Sequence, residues 1–268
     1  MKGRPMVGRI ALLLTLLLLW GTTKMAGASP FDHIPQELDA ADRAAPQHPM
    51  PNVAAVSARD LAGAFRSPLR LPLTPEMIRT PGDPRPYRNG VHQGIDFYGP
   101  PIDTPVYPVA AGIVVRVDRD YTPMPKATRD RMLARCREIG GTPGERGVPF
   151  DPEFGDVLDR LRGRQVWVYH GRNASGEPVL SVYAHLNGVG DIEVGEFVTR
   201  ERIVGYVGNS GTSQEGISTT REVHLHLEIY VGEDYWTPRE PGEVGRRLPR
   251  ERDRLLRRAT IATLRGEK

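Results

Sequence analysis

Apolar and polar residues alternate along most of the second half of the chain, a period of two that marks strands burying one face. The runs at 104–109, 112–117, 165–170, 178–185, 192–198, 203–207 and 223–231 are short and rich in Val and Ile, with turn residues between them. That spacing predicts an antiparallel sheet protein. Residues 171–177 read as the loop of a hairpin. The expected fold is mainly β, an antiparallel sandwich or open barrel.

Three stretches break the alternation. Residues 121–163 carry a helix-like pattern over 126–139. A second helix follows, opened by Asp151-Pro152, an N-cap residue ahead of a first-turn proline. Phe154, Val157, Leu158 and Leu161 fall at i, i+3, i+4 and i+7 and define its apolar face. The segment is predicted to be a helical insertion in a hairpin connection, either a packed excursion or a wall of a substrate groove or partner site. The last helix is expected over 250–264 with a narrow apolar stripe of Leu255, Ala259 and Ala262. Residues 29–64, rich in Ala, Pro, Asp and Gln, read as a linker or a pro-segment that lies in the groove until removed. His33 and His48 within them read as solvated bystanders.

Composition changes this picture at the two ends. Lys2, Arg4 and Arg9 precede the apolar run from Ile10 to Trp20, and Ala26-Gly27-Ala28 supplies small residues for cleavage. This predicts a signal peptide over 1–28, with an uncleaved anchor as the alternative, and hence export to the periplasm or beyond. The single Cys136 cannot form an intrachain disulfide, so the core must hold without one. The formal charge is +3, but residues 1–28 carry four basic and no acidic side chains. Residues 246–268 carry nine basic against three acidic, which leaves 29–245 at −7. An acidic body argues against a nucleic-acid partner. The basic tail is either a solvated helix or a contact for anionic surfaces. The division expected is therefore 1–28, 29–64, a catalytic domain over 65–240 and a basic helical tail over 241–268.

Candidate chemistry centres on Val223-His224-Leu225-His226-Leu227-Glu228. On a strand both imidazoles share one face, while Val223, Leu225 and Leu227 point into a core. Upstream, His92 and Asp96 also share parity, with Ile95 and Phe97 on the other side and Gly94 permitting close backbone approach. A catalytic zinc site needs three protein ligands and an open position for water, whose pKa the ion lowers to about 7. His92, Asp96 and one member of the His224/His226 pair meet that count. Spacing leaves open which member it is. The spare histidine and His185, in Tyr183-Ala184-His185-Leu186, suit proton transfer and oxyanion stabilisation.

The ordered set H-x-G-x-D, P-V-Y-P-V-A-A-G-I-V-V, Y-A-H-L, G-Y-V-G-N-S-G-T and H-L-H-L-E resembles the lysostaphin-type or LytM-like zinc metalloendopeptidases over roughly residues 69–232. The resemblance implies a duplicated hybrid motif as the fold, Zn2+ held by His92, Asp96 and His226, and His185 with His224 as the catalytic pair. It implies hydrolysis of peptide cross-links in bacterial peptidoglycan, at glycyl bridges or D-alanyl–diamino acid links. The Arg- and Ala-rich composition leans to the second, a D,D-endopeptidase. The alternative is a non-catalytic LytM-like module that activates other wall hydrolases, although such copies typically lack a metal or catalytic position. The sequence departs from the family at 80–85, where a phenylalanine-glycine turn is usual, and in the long insertion. Tyr87 lies where some relatives place an auxiliary tyrosine. His170 reads as a core or supporting residue, and Glu228 as either a partner of a ligand imidazole or an exposed strand carboxylate.

Overall fold

The computed structural model describes residues 64–139, 152–173 and 175–266. The expected leader over 1–28, His33, His48, the expected linker or pro-segment up to residue 63 and the side chain of Phe154 lie outside them. Thirteen short strands and three α-helices run in the described order β1 (Ile78–Arg79), β2 (Pro84–Arg85), β3 (Gly90–Val91), β4 (Ile95–Tyr98), β5 (Pro105–Val106), β6 (Gly112–Val117), α1 (Lys126–Ile139), α2 (Pro152–Leu161), β7 (Val166–Arg172), β8 (Pro178–Ala184), β9 (Leu186–Val189), β10 (Phe197–Val198), β11 (Gly205–Val207), β12 (His224–Val231), β13 (Asp234–Tyr235) and α3 (Arg250–Arg265). The main sheet has the order β1-β4-β12-β8-β7-β6-β10, with β13 also on β12, and every pairing is antiparallel. A three-stranded sheet β5-β11-β9 and a β2–β3 ribbon complete the β structure. The mainly antiparallel β class expected from the alternation is the class observed.

The alternation has an unexpected meaning in the centre of the main sheet. On one face Val166, Val168, Val179, Tyr183, Leu225, Leu227, Ile229 and Val231 enter the larger core. On the other, Trp167, Tyr169, Leu180, Val182 and Tyr230 form a second core. The central strands are thus buried on both faces. Each fully buried aliphatic side chain contributes roughly 1.5–3 kcal/mol relative to exposure.

Local chemistry shortens some expected strands. The run at 104–109 keeps only Pro105–Val106 as a strand, because prolines 105 and 108 lack the N–H that a ladder needs. The run at 192–198 keeps only Phe197–Val198, because Gly195 adopts φ +90° in a turn closed by Glu196 N–H donating to Glu193 O at 3.0 Å. Residues 165–170 and 178–185 do form the hairpin β7–β8.

Helices α1 and α2 lie between β6 and β7, which pair with each other, so the insertion does sit in a hairpin connection. Its own small core joins Leu133 and Cys136 of α1 to Val157, Leu158 and Leu161 of α2. On α3 the expected stripe is wrong. Leu255 is 52% exposed and Ala259 faces solvent, while Leu256, Thr260, Ile261, Thr263 and Leu264 are buried. A stripe drawn from apolar residues alone passes over Thr260. Its hydroxyl donates to Leu256 O at 2.9 Å and is thereby satisfied within its own helix on the buried face. Ile261 and Leu264 then join the larger core, and Ser67 N–H donates to Leu264 O at 2.8 Å.

Candidate metal centre

Strand register creates the site. His226 stands opposite Asp96 across β12 and β4, and His224 stands opposite Tyr98. Directly opposed side chains on one face of a sheet lie close enough to touch. His92 comes from the segment between β3 and β4, tied down by its N–H to Asp83 O at 2.8 Å and by its O accepting from Gly82 N–H at 2.7 Å. Gly94 makes the approach feasible. A Cβ there would lie 2.6 Å from Leu227 O and 2.7 Å from the His226 ring.

The imidazoles are oriented from outside. A carbonyl only accepts, so each ring nitrogen that meets one carries the proton. His92 Nδ1 donates to Thr80 O at 3.1 Å, His185 Nδ1 to Ser210 O at 2.7 Å and His224 Nδ1 to Glu222 O at 2.7 Å. His226 Nε2 donates to the Glu228 carboxylate at 2.9 Å. The inward atoms are therefore lone pairs: His92 Nε2 lies 2.9 Å from Asp96 Oδ1 and 3.2 Å from His226 Nδ1, which is itself 2.7 Å from Asp96 Oδ1. Three acceptors converging without a proton repel one another, and a cation between them removes the conflict. His92, Asp96 and His226 form a potential metal group with all three donor atoms within 4.8 Å of one another. Two imidazoles and one carboxylate, with the distal nitrogens bonded to acceptors, are a donor set that suits Zn2+.

Charge agrees with geometry. Burial alone would raise the Asp96 carboxyl, but the facing His92, His224 and His226 rings hold it well below the usual range. Burial pushes His92 down to about 4 against the pull of Asp96. His226 is the exception: burial lowers it, yet the Asp96 and Glu228 carboxylates on either side favour its charged form and raise it, so a cation, proton or metal ion, is favoured at Nδ1. A positive charge is thus favoured at the point where the donors meet.

His185 and His224 flank this trio. Their rings are 4.7 Å apart, His185 is 5.5 Å from the His226 ring, and His224 Nε2 is 3.6 Å from Asp96 Oδ1. Burial lowers both, with His224 and His226 pushing His185 further down, so each offers a neutral Nε2. Tyr98 stacks on His224 at 4.5 Å. All five residues singled out by the sequence motifs therefore come together. His170 does not: it is buried between Ala111 O at 2.9 Å and Ser181 Oγ at 2.8 Å, the core role expected of it. Glu228 is only 2% exposed, so the exposed-carboxylate alternative falls.

Arg162 and Arg85 were not foreseen. Arg162, just beyond α2, donates to both Glu228 oxygens at 2.9 and 2.6 Å and so fixes the partner of His226. Burial would raise the Glu228 carboxyl, and Arg162 holds it well below its usual range. The same short segment serves His185, a residue at φ +60°, whose N–H donates to Arg162 O at 2.8 Å. Arg164 N–H donates to Ser210 Oγ at 2.8 Å, beside the carbonyl that orients His185. Arg85 donates to Asp96 Oδ2 at 3.2 Å. Neither arginine falls in a recognisable motif. Tyr98 was legible in principle, since it shares parity with Asp96.

The centre opens into a cleft of about 480 Å³. Insertion residues Arg129, Leu133, Leu158 and Leu161 line it, together with Tyr87, which is 48% exposed. The insertion therefore does wall the space in front of the metal centre.

Known proteins resemble part of this chain. Residues 154–238 match the model of Peptidase family M23, a stretch that includes β12 and His185 but not His92 or Asp96. The resemblance to lysostaphin-type peptidases is thereby shown. Among similar solved structures are a peptidase M23 from Pseudomonas aeruginosa (18% identity, 80% of this chain and 61% of that one, TM-score 0.36) and the catalytic domain of the prophage-encoded M23 protein EnpA from Enterococcus faecalis (19% identity, 66% and 96%, TM-score 0.38). The catalytic domain of the antimicrobial peptidase lysostaphin from Staphylococcus simulans is another (18% identity, 68% and 95%, TM-score 0.32). The chain spans about three fifths of the Pseudomonas protein. No curated protein matches the sequence.

Proposed function

We propose that the chain is an exported zinc-dependent endopeptidase that hydrolyses peptide cross-links of bacterial peptidoglycan, with D-alanyl–diamino acid links as the bond. The observation that carries this reading is the convergence of three inward lone-pair donors beside two further neutral imidazoles in an open cleft. His92, Asp96 and His226 would hold the ion. Zinc there would supply Lewis acidity towards a carbonyl oxygen and acidify water. His185 and His224 each present an unprotonated Nε2 to the same space, one to take a proton from the attacking water and the other, once protonated, to donate to the developing oxyanion. Arg162 and Glu228 keep His226 in the tautomer with its lone pair inward. The insertion wall flanks the reacting bond and helps to position the peptide. In this reading 65–240 is the catalytic unit and 1–28 the export signal.

Purified chain incubated with isolated sacculi should release cross-link cleavage products, and a chelator or His226→Ala should stop the release. A zinc-loaded chain that releases nothing would sink the catalytic reading. Stimulation of another wall hydrolase that survives His226→Ala would favour the non-catalytic activator instead.

A further inference from the structure

Five arginines line the cleft, Arg79, Arg85, Arg88, Arg129 and Arg162, against the three carboxylates Asp96, Glu222 and Glu228. Two of these cations are committed: Arg85 to Asp96 and Arg162 to Glu228. Glu222 accepts from the backbone N–H and hydroxyl of Ser213, both at 3.0 Å. Arg79, Arg88 and Arg129 have no carboxylate partner among the described residues. The cleft is therefore cationic inside an acidic body, even before an ion is added.

Arg88 differs from the other two. It is 7% exposed, on the turn Pro86–Arg88 whose end is set by Asn89 at φ +52°. Its Nη2 donates to Val91 O at 2.6 Å, and its Nε is buried with no partner. Glu228 attracts it from a distance but is already held by both donors of Arg162, so Arg88 has no ion pair of its own; a carboxylate is the anion whose two oxygens match an arginine's fork of donors. Arg137 on α1 donates to Tyr87 O at 2.8 Å, so the insertion holds the turn in place. The position is pre-formed.

We propose that Arg88 is the specificity residue of a carboxylate-binding subsite in this cleft, taking a free carboxylate that the peptide substrate carries close to its scissile bond, with Arg79 and Arg129 adding long-range attraction. The inference rests on the peptidase reading above and narrows it: the substrate is an anionic peptide rather than a neutral glycyl bridge. A buried charge-assisted pair of this kind is worth roughly 1.5–3 kcal/mol, about ten- to a hundredfold in recognition.

The test uses the full zinc-loaded chain and two cross-linked peptides that differ only in whether the carboxylate beside the scissile bond is free or amidated. The wild type should cleave the free acid with a kcat/KM at least about tenfold higher. R88Q should erase that preference by losing mainly on the acid, and R88K should keep part of it, with melting temperature and zinc content measured for each variant. Equal rates on both peptides in the wild type, or R88Q losing the same factor on each, would overturn the proposal. Should neither peptide be cleaved, the peptidase reading fails separately. Binding then decides, by calorimetry with N-acetyl-D-alanine and its amide: heat for the acid alone that is lost in R88Q supports the subsite, and equal behaviour of the two ligands overturns it.

Discussion

The two faces of the main sheet both bury histidine, with opposite outcomes. His170 on the larger-core face packs edge-on against Phe65 at 5.7 Å. Its nitrogens meet a carbonyl and a hydroxyl, and a hydroxyl can donate to an imidazole lone pair. Every polar atom there is satisfied by protein. On the other face, four imidazoles have their N–H groups fixed outwards and their lone pairs turned towards one another and Asp96. Both sets are largely withdrawn from solvent, with His185 the most accessible of them. What separates a structural histidine from a metal centre is which way the unshared electrons point and whether the protein answers them.

Removing a donor tests that contrast most severely. His226→Ala should abolish both stoichiometric zinc in the purified chain and peptide hydrolysis, to background, as read by metal analysis and product release. Gly94→Ala comes next: the added methyl must displace Leu227 O or the His226 ring, so zinc affinity should fall by more than about a hundredfold and stability by about 1–3 kcal/mol. Chelator competition and thermal melting give the two numbers. Glu228→Gln removes only the acceptor behind His226. The expected loss is about ten- to a hundredfold in zinc affinity by the same competition, with His226 still present.

The quieter face yields a pH prediction. Burial lowers His170 to about 4, against a model-peptide value near 6.5, and the bond to Ala111 only partly offsets this. Between those values the unfolded chain binds a proton that the folded chain refuses, so this group's contribution to stability falls as pH drops from 6.5 towards 4. The full loss is about 3 kcal/mol. His170→Gln should be less stable than wild type at pH 7 but flatter across that window, in denaturant titrations of chelated protein. Its zinc affinity should not move. A change in metal binding would mean the two faces are coupled.

The sequence carried the parts of the site that obey strand parity. His224 with His226 and His92 with Asp96 were legible because a period of two puts alternate residues on one side. Leu225 and Leu227 marked the opposite side as core. His185 needed the family motif, since nothing in its own run distinguishes it from a strand-end residue. Arg162 was invisible: it meets Glu228 across 66 positions, and no local pattern encodes such a pair. The α3 stripe failed for a related reason, because a hydroxyl bonded within its helix behaves as apolar without looking so.

The joint formed by Arg162, Gly163 and Arg164 carries a practical lesson. It terminates the cleft wall and at the same time steadies His226, through Glu228, and His185, while Gly163 sits against the Ser210 backbone so closely that a Cβ would lie 2.4 Å away. Recutting this protein for a new substrate by exchanging its helical wall is therefore safe only if the graft ends before Asp159, whose carboxylate is anchored by Arg116. A splice placed a few residues later would swap out the scaffolding of the histidine cluster along with the wall.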